Sequence, residues 1–507
     1  MIKQRIMMVV ISASIGFNAD AQFFLGLRSS AYGGVTNVDY NPAIADNPFL
    51  VDVNLIAVAA NVNNNYIGLS KNVIYHHSDF SDPNFQADYL KERVNGLAKN
   101  AYIGAQVTGP LSFMFSFGKK GNKNKNAIAF TYHTNFAMNI DHVTEVLART
   151  AYYGVGPKAD TVTHFLGKQL SNANISIKSA VWNDYGITYS RVVYDKGEHM
   201  VKVGGTMKLL QPIAGAYADG SNLNYQFTEY NTLTISKSYF NYAYSQGLVS
   251  SNGYSPQNVK SNLSAYLGDM LAYKYANPTA AADLGAVYEW RPDKESMRCS
   301  GVDRDYSKTR YKVALGFSII DFGAMQFRRG QYSANFMADV QGWDVGNVKF
   351  PNGIQSVDDT IRSRFRLLKT NSYFTLWLPT RFNIFVDYNI AKGFGVNGSA
   401  MVSPDMSPQH SMLHQVTTFT VTPKYDIVWA GAYLPLSVDV MGNVSWGATV
   451  RIGPLIIGTA DLLGFFAKKY VYNADIHAAL KVSIPYMAKH NKGKTKLDKV
   501  NCFFKSS

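Results

Sequence analysis

Few residues in this 507-residue chain stand at spacings suited to covalent chemistry. Gly393-Phe394-Gly395-Val396-Asn397-Gly398 matches the glycine pattern that cradles a dinucleotide pyrophosphate. That chemistry needs the glycines to open a helix whose N-terminus receives the phosphate. Here they open an alternating segment, so the run reads as a turn entering a strand. His76-His77 near Asp79 and Asp82 offers imidazole and carboxylate but reads more simply as a polar loop. Neither His-Glu-x-x-His nor Gly-x-Ser-x-Gly occurs. Cys299 and Cys502 match no metal-site spacing, and the pair is given no role. No catalytic residue, metal ligand or cofactor is expected.

The charges that do recur sit at alternate positions of apolar segments. Strand parity places Asp184, Lys202, Lys208, Asp283, Glu289, Arg291, Lys312, Arg381, Asp387, Arg451, Asp475, His477 and Lys481 on one side of a wall. Opposite signs predominate among neighbours. Such a set can line a polar conduit or ligand site, or it can fill a lumen with ion pairs that brace the wall.

The elements that must position these charges are strands. In residues 380–390, Phe382, Ile384, Val386, Tyr388 and Ile390 share one face while Arg381, Asn383, Asp387 and Asn389 share the other. A period of two with one apolar and one charged face suits a wall between lipid and a polar lumen. The pattern returns in Ala180 to Tyr194 with His199 to Gln211, joined by Asp195-Lys196-Gly197-Glu198, and in Ala474 to Tyr486. Tyr102 to Gly118 and Ala127 to Ile140 form another hairpin around a Lys- and Asn-rich tip. Further strands are expected at Leu50 to Val62, Asn222 to Ile235, Asp283 to Arg291, Arg310 to Asp321, Gly323 to Val340, Tyr373 to Pro379, Gly393 to Val402, Val416 to Val428, Gly431 to Ser437 and Val444 to Ile452. Together these give an all-β fold, a single antiparallel transmembrane β-barrel of about 14 strands, an even number as bacterial single-chain barrels have. A short helix is expected within Asn84 to Leu97. Asp141 to Ser179, Ser236 to Ala282, Glu295 to Thr309 and Gln341 to Ser372 are expected as long extracellular loops. Trp182, Tyr189, Tyr288, Trp290, Trp446 and Tyr486 are expected in interfacial girdles.

Lys3 and Arg5 precede an apolar run from Ile6 to Phe17, and Ala19-Asp20-Ala21 forms a small-x-small cleavage site, as in a Sec signal peptide. The run is short of the roughly 20 residues a membrane-spanning helix needs. The expected organisation is a signal peptide at 1–21, an N-terminal plug-like segment at 22–49 around the turn Asn41, Pro42 and Ala43, the barrel at 50–487 and a basic flexible tail at 488–507. The net charge of +14 is spread along the strands of an exported chain, which argues against nucleic acid. It suits phosphate-bearing lipopolysaccharide or an acidic envelope partner, and equally a generally solvated basic surface.

Several blocks carry a resemblance. Asp283-Leu284-Gly285-Ala286-Val287-Tyr288-Glu289-Trp290-Arg291-Pro292, Tyr311-Lys312 with Gly316-Phe317-Ser318-Ile319-Ile320-Asp321-Phe322-Gly323, Leu378-Pro379-Thr380-Arg381 with Asp387-Tyr388, and Arg451-Ile452-Gly453-Pro454-Leu455 with Asp461-Leu462-Leu463 resemble an uncharacterised Bacteroidota outer-membrane β-barrel family. The Asn41-Pro42-Ala43 turn is similar to one in the long-chain fatty-acid transporter superfamily and in PorV-type proteins of type IX secretion. The resemblance implies one barrel with an N-terminal plug and brings no catalytic residues. The expected role is a non-enzymatic transporter or partly plugged pore for hydrophobic or amphipathic small molecules. The alternative is an accessory component of a secretion or motility machine. Expected partners are outer-membrane lipid and lipopolysaccharide, a hydrophobic small-molecule ligand and an envelope protein, with no nucleic acid. Gly109-Pro110 and Gln211-Pro212 are candidate strand kinks or plain strand ends.

Overall fold

The computed structural model describes residues 24–75, 84–118, 125–155, 164–246, 277–292, 311–346, 354–391, 393–404 and 411–485. The expected signal peptide and basic tail, His76, His77, Asp79, Asp82, both cysteines and Tyr486 lie outside them. The period-two segments pair with their chain neighbours and close on themselves, so that within the ring each strand has a partner on both sides. In chain order the walls are β1 (Phe49–Asn64), β2 (Lys99–Thr108 and Ser112–Phe117), β3 (Asn126–Val143), β4 (Gln169–Lys196) and β5 (His199–Glu229). They continue with β6 (Thr232–Tyr244 and Thr279–Trp290), β7 (Val313–Arg328 and Ala334–Asp344), β8 (Arg366–Leu368, Tyr373–Trp377 and Arg381–Ala391), β9 (Phe394–Val402) and β10 (Thr418–Asp426). The last are β11 (Ala430–Tyr433 and Leu436–Asp439), β12 (Val444–Trp446 and Ala448–Ile452), β13 (Leu455–Thr459) and β14 (Asn473–Pro485). Each pairs antiparallel with the next, and β14 returns to β1 from Phe49↔Pro485 to Asn63↔Asn473, closing a ring of 14 strands.

The two faces separate as the alternation demands. Ile384 is 53% exposed and Val386 48%, whereas Arg381 and Asp387 on the same strand are 4% and 2% exposed. Leu284, Leu315, Phe317, Phe419, Val421, Val450, Ile457, Ile476 and Val482 extend the outward apolar belt around the ring. Among the described residues no helix is long and apolar enough to cross a membrane; a closed strand wall does so instead. An arginine at position 384 would put a charge in that belt. Ile384→Arg is expected to lower unfolding free energy in lipid micelles by about 2–4 kcal/mol if the site is near the bilayer midplane. An unchanged urea midpoint would show that this face does not meet lipid.

The wall is uneven. β4 and β5 run 28 and 31 residues, while β13 has 5, against the roughly 9–11 residues that cross a bilayer. The tall side, β4 to β8, rises as a flap beyond the low side. At one level the tall strands from β5 onward are irregular: β5 bulges at Ile213, between the pairs Val181↔Ala214 and Trp182↔Pro212, and the described part of β6 ends at Tyr244 and resumes at Thr279. β7 pauses between Arg328 and Ala334, and β8 between Leu368 and Tyr373.

Several expectations are corrected here. Asn222 to Ile235 is not one strand but the tip where β5 turns into β6. β13 was hidden in the apolar stretch 453–467, and the helix expected within Asn84 to Leu97 is only Phe85–Tyr89, followed by the strand Leu90–Glu92. The connection holding Glu295 to Thr309 leaves from the Trp290/Val313 end, the same end as the tight Lys196/His199 turn, and so not from the long-loop end. Trp182 is 5% exposed and packs inside against Leu210, Phe327 and Leu378, because it shares the inward parity of Asp184 on an unbroken ladder with β3.

Candidate functional site: the plugged lumen

Residues 24–48 cannot form a strand, since they have no partner ladder and turn at Asn41-Pro42. They run through the lumen instead, with Leu27, Tyr32, Val35, Val38, Ala43, Ile44 and Ala45 buried. Buried backbone needs partners, and the wall supplies them. The Lys481 ammonium donates to the carbonyls of Tyr32 (3.2 Å) and Gly33 (2.9 Å), and Lys424 donates to that of Ser29. The Asp426 carboxylate accepts from the Ser30 hydroxyl (3.0 Å) and the Ala31 N–H (2.9 Å), and Asp52 accepts from the Val35 N–H (2.7 Å). Ser318 and Asn383 both donate to the Tyr40 carbonyl, at 2.6 and 3.1 Å.

The Asn41-Pro42-Ala43 turn lies flat on the wall, with the Asn41 amide donating to the Phe317 carbonyl at 3.1 Å. Two inward glycines make the approach achievable. A Cβ on Gly204 would fall 2.0 Å from the Pro42 carbonyl oxygen, and one on Gly285 would fall 2.2 Å from Asn41 Oδ1. Beyond the turn, Asp46 meets the Arg291 guanidinium at 2.9 Å, and Arg291 also holds Glu289 at 2.5 Å.

Of the residues expected inside, Asp184, Lys208, Asp283, Glu289, Arg291, Arg381, Asp387, Arg451, Asp475, His477 and Lys481 are buried in the lumen. Lys202 is half-buried there, 3.1 Å from Glu289. Lys312 is not in the lumen. It sits at the rim, donates to the Ile390 carbonyl at 3.0 Å and lies over the outward ring of Tyr388, because at the strand end its long stem can snorkel around the wall.

These residues come together in clusters. Lys208 bridges Asp283 (2.9 Å) and Asp321 (2.6 Å), and Arg381 holds Asp321 at 2.5 Å. His133 presents one ring nitrogen to Asp184 (2.9 Å) and the other to Asp39 of the plug (3.1 Å). Arg451 meets Asp426 at 2.9 Å, Lys424 meets Asp387 at 2.6 Å, and Lys481 meets Asp52 at 3.2 Å. Asp39, Asp46, Asp52, His133, Asp321, Lys424 and Asp426 were not among the expected residues. Asp321 was missed because it bulges with φ 61°, which brings a side chain of the wrong parity inward.

One constellation has the form of a nucleophile relay. Thr449 Oγ1 lies 2.9 Å from His477 Nε2, and His477 Nδ1 lies 3.2 Å from Asp475. Phe24 covers the imidazole with ring centroids 5.0 Å apart, and Asp475 accepts from the Ala460 N–H at 2.6 Å. The group is thus packed against plug and wall.

Above the ionic tier a second segment enters the lumen. Residues 411–417, between β9 and β10, fold inward with Met412, Leu413 and Val416 buried. Lys178 donates to the Met412 carbonyl at 3.1 Å, and Asn139 and His414 exchange two hydrogen bonds at 2.9 and 3.1 Å. His414 Nε2 lies 3.0 Å from Asp141. Burial opposes the imidazolium, but the Asp141 hydrogen bond and charge outweigh it and hold the His414 pKa above its ordinary value. A raised folded pKa gives stability that is complete below the unfolded value of about 6.5 and is lost as pH rises through the folded one. In Asp141→Asn, where burial and the Lys178 charge are opposed only by the hydrogen bond to the Gln415 carbonyl, the His414 pKa is expected to fall, as read by histidine proton NMR. A titration unchanged by the substitution would remove Asp141 as the cause.

A plugged lumen inside a closed, apolar-belted ring of strands defines an outer-membrane β-barrel protein. A family model described as a family of unknown function (DUF5723) matches residues 42–460, and the chain belongs to that family. No curated protein matches it. Among solved structures it is similar to a deletion mutant of the TodX monoaromatic hydrocarbon channel, at 9% identity over 90% of this chain and 95% of that one, with a TM-score of 0.28. It is also similar to the outer membrane protease OmpT from Escherichia coli, at 7% identity over 86% and 97%, with a TM-score of 0.17. At these values the likenesses say nothing of function.

Proposed function

We propose that the chain is a non-enzymatic outer-membrane conduit for hydrophobic or amphipathic small molecules, closed in this conformation by its own N-terminal segment. The observation that carries the reading is the two-tier interior. The short-turn end is ionic and clasps residues 24–48, whereas the long-loop end is lined by apolar and aromatic side chains. Trp182, Leu210, Phe327, Phe374 and Leu413 form the lower apolar layer, and Leu223, Phe227, Phe336 and Phe365 form the upper one. A barrel needing only internal filling can be satisfied by ion pairs throughout; an inner apolar surface suits a greasy ligand.

The plug provides the closure. Its contacts are mostly single hydrogen bonds to backbone, each of modest net worth, about 0.5–1.5 kcal/mol, so a coupled rearrangement can release it. Uptake of a fluorescent fatty amine or hydrocarbon into vesicles carrying the purified barrel tests the reading, with empty vesicles as reference. No excess uptake, either by the wild-type barrel or by one lacking residues 24–48, would defeat it. The flap rising past the membrane favours a second reading, an accessory part of an envelope machine. A stoichiometric protein partner in detergent extracts, without flux, supports that one.

A further inference from the structure

The upper apolar layer is more than filler. Three parallel rings stack across it: Phe240 on Phe336 at 5.2 Å, and Phe336 on Phe365 at 5.3 Å, each pair inclined by 16°. Phe240 and Phe336 belong to the walls β6 and β7. Phe365 does not; it directly follows the helix Ile354–Arg364, whose Ile361 is buried in the same apolar cluster as the rings. Trp343 closes the stack edge-on to Phe365 at 5.5 Å.

Around these rings, polar tips lack partners. The Asp358 side chain on the helix is 5% exposed, and its Oδ2 accepts from Arg362 at 2.6 Å, while Oδ1 has no hydrogen-bond partner. Tyr242 OH and Trp343 Nε1 are likewise buried without a partner, and the Asp358 charge acts on the Tyr242 phenol. A buried carboxylate oxygen without a donor costs free energy unless something else supplies one.

We propose that this ring stack is a binding site for a ring-bearing organic ammonium, whose ring takes the stacking place Phe365 holds here and whose N–H groups bind Asp358 Oδ1. The proposal rests on the conduit reading and narrows its substrate class. Stacking faces attract both a planar ring and the charge beside it. The anionic oxygen selects an ammonium over a carboxylate. Phe365 is the internal stand-in, and the helix carrying it withdraws when the ligand enters.

The test is calorimetric titration of the whole barrel in lipid nanodiscs, with empty nanodiscs subtracted. 1-Naphthylmethylamine is expected to bind saturably, at least tenfold tighter than 1-naphthoate. Asp358→Asn removes that preference. Arg362→Ala breaks the same helix ion pair but leaves the carboxylate, so it keeps the preference; loss in both variants alike overturns the proposal by assigning the effect to the helix fold. Phe365→Ala vacates the stack and tightens the amine by tenfold or more, as apolar cavities take up rings. Absent saturable binding, or equal affinity for amine and acid, also overturns it. Vesicle uptake of the same amine is read separately: binding without flux upholds the site and sinks the conduit, whereas flux with no binding sinks the site.

Discussion

Gly204→Val is expected to turn a closed barrel into a conducting one. The added Cβ would stand 2.0 Å from the Pro42 carbonyl oxygen and 2.8 Å from the Ala43 nitrogen. Both are backbone atoms, so no rotamer change relieves the clash. The wall is pinned on both sides, by β4 from Ser190↔Gly204 and by β6 from Gly285↔Gly204, which leaves the plug as the part that moves. Lifting the turn breaks the Asn41 bond to Phe317 and draws the Tyr40 carbonyl away from Ser318 and Asn383. Overpacking of this kind costs about 1–3 kcal/mol where strain can be relieved, enough to change plug occupancy by a factor of roughly 5 to 150. Planar-bilayer recording should show open events in the variant that the wild type lacks. Gly205→Val is the control, because its Cβ points to the other face and meets Leu284 Cδ2 at an ordinary 3.5 Å. If Gly204→Val lowers the unfolding midpoint but conducts no more than Gly205→Val, the segment is scaffold rather than gate.

The sequence is legible where the ladder is regular and opaque where it is not. On β8 the alternation put Arg381 and Asp387 inside and Ile384 and Val386 outside, and the ladder with β7 runs unbroken from Ile320↔Arg381 to Val313↔Tyr388. Parity failed at Asp321 because a bulge adds a residue and exchanges the two faces, whereas Trp182 obeys the parity of Asp184 and the girdle expectation set that parity aside. At Lys312 the wall ends, and a long side chain there is free of parity. The inward loop at 411–417 has no periodicity to announce it, and its hold on the lumen is through backbone groups that every residue carries. Gly204 and Gly285 did leave a trace, since a glycine inside a strand can mark a close backbone approach. What approaches them lies more than 160 residues away in the case of Gly204 and Pro42, and local pattern carries no such information. The stacked rings at Phe240, Phe336 and Phe365 likewise come from three separate segments, so only the closed wall brings them together.

The clamp at Asp46 offers the second large effect. Arg291 is fully buried and serves two carboxylates, Asp46 of the plug and Glu289 of the wall. Replacing it with methionine leaves the volume filled but takes the Arg291 cation away from the buried Asp46; Glu289 keeps Lys202 at 3.1 Å. Breaking a buried pair from one side costs about 3–5 kcal/mol, because the remaining charge stays out of water after losing that counterion. Arg291→Met is therefore expected to lower unfolding free energy by that amount and to raise amide exchange in residues 41–47, since a solvated Asp46 is the cheapest escape. Adding Asp46→Asn removes the stranded charge, so the double variant should regain part of the loss. The coupling expected from adjoining members of one ion-pair network is about 0.5–3 kcal/mol. Strict additivity of the two substitutions would mean that plug and wall are not joined through this pair. The plug would then be held by its backbone bonds and the Asp39–His133 pair, and the gate would have to be sought at Lys424, Lys481 and Asp426 instead.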